Sequence, residues 1–262
     1  MSGSILRQVL VRRRKPLAIW SGAMTGVVGL YTGLYPVMER VDMQSMLDAM
    51  PPAMVEALGY DDMTSAAGYV GSATYGLTAL ALLLVFAIGN GGKGLAGHEE
   101  SGELELELAS PVSRSAVFAQ RLAALWIQIA ALVGVVYAVT LLLNAVQGLG
   151  IDGGDLAGAT FTLLLLVGFF GSVTYAAGAA TGRRGLALAA GAGLAVVSWM
   201  LNAIGPTVDL DWMAAISPIG WFMDDNPITR GFHPLHALQL AAGSALAIGA
   251  GWWRFLRRDL MT

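Results

Sequence analysis

The residues able to act as acids, bases or ligands lie in short polar segments rather than in the apolar stretches of the chain. Five glutamates fall within nine residues, at positions 99, 100, 103, 105 and 107. The chain has no Cys, and therefore no thiol nucleophile, disulfide or thiolate metal site, and it has only three His. Because no Asp, Glu or His occupies the middle of an apolar stretch, the sequence argues against an intramembrane hydrolase and predicts no metal site.

The scarcity of ionisable residues in the apolar stretches also limits the modes of transport. Ion-coupled transporters and voltage sensors usually need charges at membrane depth. The run 89–94 is rich in glycine, but Ala87 stands where a phosphate-binding loop needs its first Gly, and Gly94 stands where it needs Ser or Thr. We therefore expect no enzyme activity and no nucleotide site in this chain. If it moves a substrate, another subunit must supply the energy.

Composition indicates the elements that position these residues. Of the 262 residues, 56% are hydrophobic and 13% are charged, whereas a soluble domain is usually about 25% charged. These values argue against a soluble enzyme, a nucleic-acid-binding module and a disordered protein. A helix of about 20 apolar residues crosses a bilayer. We predict an all-α polytopic membrane protein, a single transmembrane domain over 1–262, with six spans at 17–36, 69–91, 116–146, 157–181, 186–205 and 236–256.

Lys and Arg indicate the orientation of these spans. Thirteen of the fifteen fall on one side, and only Arg40 and Arg230 fall on the other. Because basic residues favour the cytoplasmic side, both termini are predicted to be cytoplasmic and the protein to lie in the cell (cytoplasmic) membrane. The loop 92–115 is then cytoplasmic, and the loop 37–68 is external and carries two short helices.

The ends of the first span and the segment before it carry further signals. Pro16 and Pro36 bracket the span, since Pro suits a first helical turn and breaks a helix interior. Residues 1–16 are expected to form an amphipathic, basic helix on the anionic lipid surface, the alternative being a frayed basic tail.

The loop 92–115 contains the acidic segment, which we define as residues 99–114, EESGELELELASPVSR. Its Glu and Leu residues alternate as in a strand, but they also recur four residues apart, and an isolated strand here would have no partner. We therefore expect a helix that ends at Ser110 and Pro111, followed by Ser113 as the cap of the next helix.

The acidic segment resembles the stretch between spans two and three of ABC transporter permeases of the type-two export class, E-E-x-G-x-L-E-x-x-L-x-x-P-V-S-R. The basic N-terminal segment, Tyr35-Pro36, Leu58-Gly59 and SPIGW at 217–221 extend the resemblance. The helical external loop is similar to that of the antibiotic and drug exporter branch.

The resemblance implies a mechanism. Two six-span halves form the pathway, and separate cytoplasmic ATPase subunits bind ATP and Mg below them, so that this chain holds no cofactor itself. The acidic segment is then a coupling helix that docks on the ATPase. Its carboxylates meet basic residues of the ATPase, and its leucines meet an apolar groove on the same subunit. The acidic side chains are therefore expected to be exposed. The residues assigned to coupling are Glu99, Glu100, Gly102, Glu103, Leu104, Leu108, Pro111 and Arg114.

Two further sets of residues are candidates for function. A stripe of glycines along the first span allows close helix approach, either within the chain or against a second permease half in a homodimer or heterodimer. The stripe is formed by Gly22, Gly26, Gly29 and Gly33. Polar residues in mid-span usually make interhelical hydrogen bonds, and some line substrate paths. The candidates for such a path are Gln128, Thr174, Ser198 and Asn202.

The sequence thus favours the membrane-spanning subunit of an ATP-driven exporter, and spans without fixed charge suit a lipophilic or amphiphilic substrate. The alternatives are a non-transporting membrane scaffold or immunity factor that binds a partner through the acidic segment, and a passive channel. An exporter stimulates its ATPase, whereas a channel conducts without one.

Overall fold

A computed structural model describes residues 4–38, 49–50, 55, 64–104, 112–205, 208, 210–223, 228–229 and 232–258. Every regular element among these residues is helical, which confirms the all-α prediction. In chain order they are α1 (Ser4–Gly33), α2 (Tyr35–Met38), α3 (Ala66–Tyr69), a π-helical segment (Val70–Ala79), α4 (Leu80–Gly94), α5 (Ala96–Glu100), α6 (Arg114–Gln147), α7 (Gly153–Thr181), α8 (Arg184–Ile204), α9 (Asp211–Ala215), α10 (Gly220–Met223) and α11 (Pro234–Arg257).

Five helical stretches of the described chain are long and apolar enough to cross a membrane. They are Ile5–Met38, Ala66–Gly94, Arg114–Gln147, Gly153–Thr181 and Arg184–Ile204. The sixth predicted span corresponds to α11, which has 24 residues but is not one of these five. Its apolar run is interrupted by His236, Gln239 and Arg254. The six-span count therefore stays a prediction.

The start of α1 differs from the expectation that Pro16 begins the first span after a separate interfacial helix at 1–16. The helix begins at Ser4 and continues through Pro16 without a break. Pro16 removes one backbone hydrogen bond, but contacts of the turns before it hold the helix against α6 and α4. The amide of Leu6 donates to Gln120 Oε1 of α6 at 3.1 Å, and Arg13 Nη1 donates to Asn90 Oδ1 of α4 at 2.9 Å.

Helix α7 lies at the centre of the bundle. It runs parallel to α11, because Phe232 packs on Phe161 near the start of α7 whereas Gly251 faces Ala176 near its end. Helix α7 is also parallel to α4. It is antiparallel to α6 and α8, because later residues of those two helices contact earlier residues of α7.

These directions place six helix ends at one face of the bundle, which we call the α5 face. The helices α1, α6 and α8 begin there, and α4, α7 and α11 end there. Arg114 at the start of α6 contacts Arg258, which directly follows α11, and Glu100 of α5 contacts the start of α8. The first and the last described residues of the chain therefore lie at the same end of the bundle.

Close backbone approach joins α4, α7 and α8. A Cβ on Gly91 of α4 would lie 2.8 Å from the carbonyl oxygen of Gly171 in α7, and a Cβ on Gly191 of α8 would overlap Thr174 Oγ1. Small residues allow helices in a membrane to approach in this way, because van der Waals packing replaces the hydrophobic effect between them.

Local capping sets the start of α6. Ser113 Oγ accepts a hydrogen bond from the amide of Ala116 at 3.2 Å, so the prediction of Ser113 as a cap is confirmed. The expected helix end at Ser110 and Pro111 and most of the external loop 37–68 lie outside the described residues.

The glycine contacts predict that Gly91→Ala destabilises the protein while Gly193→Ala does not. A methyl group on Gly91 must displace backbone, and overpacking of this kind costs about 1–3 kcal/mol. Gly193 is an exposed helical glycine, and a methyl group added to it would meet no atom within 4 Å, so Ala there is expected to be neutral or stabilising. Thermal unfolding of both variants in detergent gives the comparison, and equal midpoints would contradict this account.

Candidate coupling site

The acidic segment begins inside helix α5, which lies across the α5 face. The residues on its inner side are small or apolar and fully enclosed: Leu95 and Ala96 are buried, and a Cβ on Gly178 of α7 would lie 3.3 Å from Ala96 Cβ. Helix α5 therefore packs closely on the end of α7 at Ala96. The helix is therefore part of the packed bundle and not a loop that hangs below it.

Glu99 forms a buried ion pair with Arg258. Arg258 Nη1 donates to Glu99 Oε1 at 2.8 Å, and Nη2 donates to the second carboxylate oxygen. The Glu99 side chain is 2% exposed and the Arg258 side chain 10%. Two parallel charge-assisted hydrogen bonds hold both planar groups in one geometry, which is the strongest form of this pair. The contact fastens the end of α11 to α5.

The turn between α7 and α8 makes room for this pair. Gly182 ends α7 with a φ of +70°, and a Cβ on it would lie 2.7 Å from Glu99 Oε1 and would overlap the Arg258 guanidinium. Both the left-handed backbone and the space require glycine. Arg114 Nη1 donates to the carbonyl oxygen of Arg258 at 2.9 Å, which brings the start of α6 to the same point.

Two more hydrogen bonds connect this region to helix ends. Glu100 Oε1 accepts from the backbone amide of Arg184 at 2.7 Å, so an acidic side chain of α5 satisfies the exposed N-terminus of α8. Arg121 Nη1 of α6 donates to the carbonyl oxygen of Gly94 at 2.7 Å, where α4 ends. Thus α5 and its neighbours join the ends of α4, α6, α7, α8 and α11.

Glu103 is an outward-facing carboxylate of this region, with a half-exposed side chain. His98 Nδ1 donates to Glu103 Oε2 at 2.7 Å, and Arg12 of α1 lies 3.8 Å from the same oxygen. The hydrogen bond from His98 lowers the pKa of the Glu103 carboxyl, which keeps it ionised at neutral pH. Gly102, with a φ of +72°, turns the chain out of α5 just before it.

The structure corrects the expectation that the coupling residues are exposed. Glu99 and Leu104 are buried inside the chain, and Arg114 donates a hydrogen bond to the backbone of Arg258. These two side chains therefore offer no exposed surface for docking in this structure, and their assignment to coupling stays a prediction. Glu100 and Glu103 remain accessible, and Leu108 and Pro111 lie outside the described residues.

The four residues predicted to line a substrate path are buried and do not meet at one place. Ser198 contacts Ser217 at 2.9 Å between the hydroxyl oxygens, and Asn202 one turn later contacts Met223 Sδ at 3.8 Å. Both fasten α8 to the segment 217–223. Gln128 Nε2 and Thr174 Oγ1 donate to carbonyl oxygens of their own helices, each at 2.8 Å. The substrate path therefore stays a prediction.

The glycine stripe of α1 faces away from the described chain. No atom lies within 4 Å of a Cβ built on Gly22, Gly26 or Gly29, and Gly33 meets only Gln147 Nε2 at 3.9 Å. The opposite face carries the fully buried Met24 and Val28. Packing within the described part of this chain thus does not account for the stripe.

Sequence reasoning missed Arg258 and Gly182, because nothing along the chain relates them to Glu99. Arg258 is 159 residues away from its partner. The sequence offers one signal here: Gly182, Arg183, Arg184 and Gly185 separate two apolar stretches, which is typical of a turn but does not indicate what the turn encloses. Among the described residues, no group of three or more His, Asp and Glu could hold a metal ion.

The buried pair predicts different effects for two glutamates four residues apart. Glu99→Gln removes the charge that compensates a buried Arg258 and should lower the free energy of unfolding by about 3–5 kcal/mol. Glu103→Gln, at an exposed ion pair, should change it negligibly. Thermal unfolding of the purified protein measures both. Equal stability of wild type and Glu99→Gln would show that the ion pair is not formed.

Comparison with known proteins gives the family of this chain. No curated protein matches the sequence. The family model for the ABC-2 family transporter protein matches residues 11–260, nearly the whole chain, which includes α1 from Val11 onward and all of α2 to α11. The chain belongs to the ABC-2 family of transporter proteins and is a multi-pass membrane permease.

Proposed function

We propose that this chain is the membrane-spanning subunit of an ATP-driven exporter in the cytoplasmic membrane, and that it moves a lipophilic or amphiphilic substrate, such as a drug or an antibiotic, outward. Family membership supports a permease that works with an ATP-binding subunit. The observation that carries the proposal further is the position of α5 at a face of the bundle where this helix and its neighbours join the ends of five long helices.

The topology has six spans with both termini in the cytoplasm. The parallel packing of α11 along α7 supports the sixth span, since α11 extends from the first turns of α7 to its end. The α5 face also carries a large share of the basic residues, which the positive-inside rule places in the cytoplasm.

Energy enters through α5. ATP and Mg bind to the partner ATPase, and closure of the ATPase dimer displaces the surface that α5 presents, with Glu100 and Glu103 as its accessible acids. Because Glu99 is bonded to Arg258 and Glu100 to the amide of Arg184, a displaced α5 must carry the ends of α11 and α8 with it or break those bonds. Rigid, fully packed contacts of this kind transmit small shifts instead of absorbing them.

The substrate class follows from the character of the spans. No Asp, Glu, Lys or His lies in the middle of a predicted span, so the helices offer apolar surface with a few hydroxyl and amide groups. Such a path suits a lipophilic or amphiphilic molecule better than a small ion. A passive channel and a non-transporting scaffold are the alternative functions, and ATPase measurements separate them from an exporter.

Charge reversal at Glu103 tests coupling. Glu103→Lys should leave the permease folded but lower its stimulation of the partner ATPase at least about tenfold, because like charges at an interface are penalised by several kcal/mol. The measurement is ATP hydrolysis by the reconstituted pair. Asp155→Lys, a reversal at the opposite end of α7, is the matched control and should retain stimulation. If Glu103→Lys stimulates the ATPase fully, Glu103 is not part of the docking surface. If the wild-type permease does not stimulate the ATPase, the function as a non-transporting scaffold is favoured.

Side-chain enlargement on the α1 stripe tests assembly. Gly26→Leu should reduce the dimer fraction of permease halves, since a large side chain separates helices that pack through glycine. Gly134→Leu is the control, because Gly134 of α6 is equally free of neighbours in the described chain. Cross-linking yield in membranes is compared. If Gly26→Leu folds normally and its cross-linking yield is unchanged, the glycine stripe faces lipid and not a second permease half.

A further inference from the structure

A cleft of about 920 Å³ opens beside the α5 face, between the first turns of α1 and the helices α5 and α6. It is lined on one side by Arg7, Arg12 and Arg13 of α1, and on the other by Arg121 of α6, with Glu103 and His98 at its edge. The volume is that of a small-molecule site. We propose that this cleft binds a phosphate-bearing anion, a role separate from coupling to the ATPase.

The charge balance of the cleft calls for an anion. Among the residues that the structure describes, four guanidinium groups line it against one carboxylate, Glu103. Like charges held this close repel one another, and an anion between them lowers that repulsion while it gains hydrogen bonds. Guanidinium groups match the geometry of phosphate oxygens better than an ammonium does, and the basic residues of the cleft are all Arg apart from His98 at its edge.

Two of the guanidinium groups are already oriented by the protein. Arg121 is 4% exposed and donates to the carbonyl oxygen of Gly94, and Arg13 donates to Asn90 Oδ1. These bonds fix the inner wall of the cleft and reduce the cost of ordering it around a ligand. Arg7 and Arg12 are exposed at its rim, and Arg7 makes no hydrogen bond or ion pair with any described residue.

The lining also includes apolar side chains. Ile5, Val9 and Val11 lie on the same stretch of α1 as the arginines. A ligand that carries both a phosphate group and an apolar portion can use both parts of the wall. The phosphate can come from the headgroup of an anionic lipid or from a free phosphate in the cytoplasm, and the two sources need separate probes.

The test measures thermal stabilisation of the purified permease in detergent at constant ionic strength, since a ligand that binds the folded state raises its midpoint. The first probe is short-chain phosphatidylglycerol, with phosphatidylcholine of the same chain length as its control. The second probe is inorganic phosphate. A response to phosphatidylglycerol alone identifies the lipid headgroup, and a response to inorganic phosphate identifies a site open to free phosphate.

Two double variants with equal loss of charge locate the binding. Arg7→Gln with Arg12→Gln should weaken the affinity at least about tenfold, because it removes two charge-assisted contacts at the rim. Arg254→Gln with Arg257→Gln, near the end of α11 and outside the cleft, should bind as wild type does.

Three results would overturn the proposal. The first is that neither probe stabilises the wild-type protein, and the second is that the variant in the cleft keeps its affinity. The third is an equal loss of affinity in both double variants, because the anion would then bind through general surface electrostatics. If the variant Arg7→Gln with Arg12→Gln does not fold, the single variant Arg12→Gln replaces it in the affinity measurement. Without ligand, this single variant should have the thermal unfolding midpoint of the wild type.

Discussion

The ion pair between Glu99 and Arg258 is the contact on which the arrangement of the α5 face depends. Both side chains are removed from water, so each charge is tolerated only because the other neutralises it through paired hydrogen bonds. Gly182 leaves the space, and Arg114 adds a bond to the backbone of Arg258. Parts of the chain that are far apart in sequence are thereby held at one point. A hydrophobic contact at this point would fix their geometry less specifically than the ion pair does.

This arrangement changes the meaning of the acidic segment. As a solvated loop it would have to transmit force through flexible chain, and little of any displacement would reach the spans. Its first two residues, Glu99 and Glu100, instead belong to α5, which packs on the end of α7 and is bonded to α8 and α11, so this start of the segment moves only together with those helices. The acids thus divide by role: Glu99 holds the bundle together, Glu100 satisfies the start of α8, and Glu103 faces outward.

The packing of the bundle is uneven in a way that suits a subunit of a larger assembly. The centre, where α7 meets α4 and α8, is joined through glycines at backbone distance. By contrast, α1 and α8 expose much of their surface, with 17% and 22% of their most apolar windows buried. A rigid centre with open outer helices leaves those faces for lipid or for a second chain.

Sequence alone determined the features that depend on local composition and on the bilayer. Apolar runs located five long helices of the described chain and Ser113 was identified as a helix cap, because these effects act within a few turns. The cytoplasmic side that the basic residues indicate stays a prediction. Pro16 shows the limit of this reasoning, since packing on α4 and α6 carries the helix through it. Only the tertiary structure decided that Glu99 is buried while Glu103 is exposed. The two residues lie four positions apart in one acidic segment, and the difference arises from the meeting of α5 with Gly182 and Arg258, whose proximity depends on the packing of whole helices.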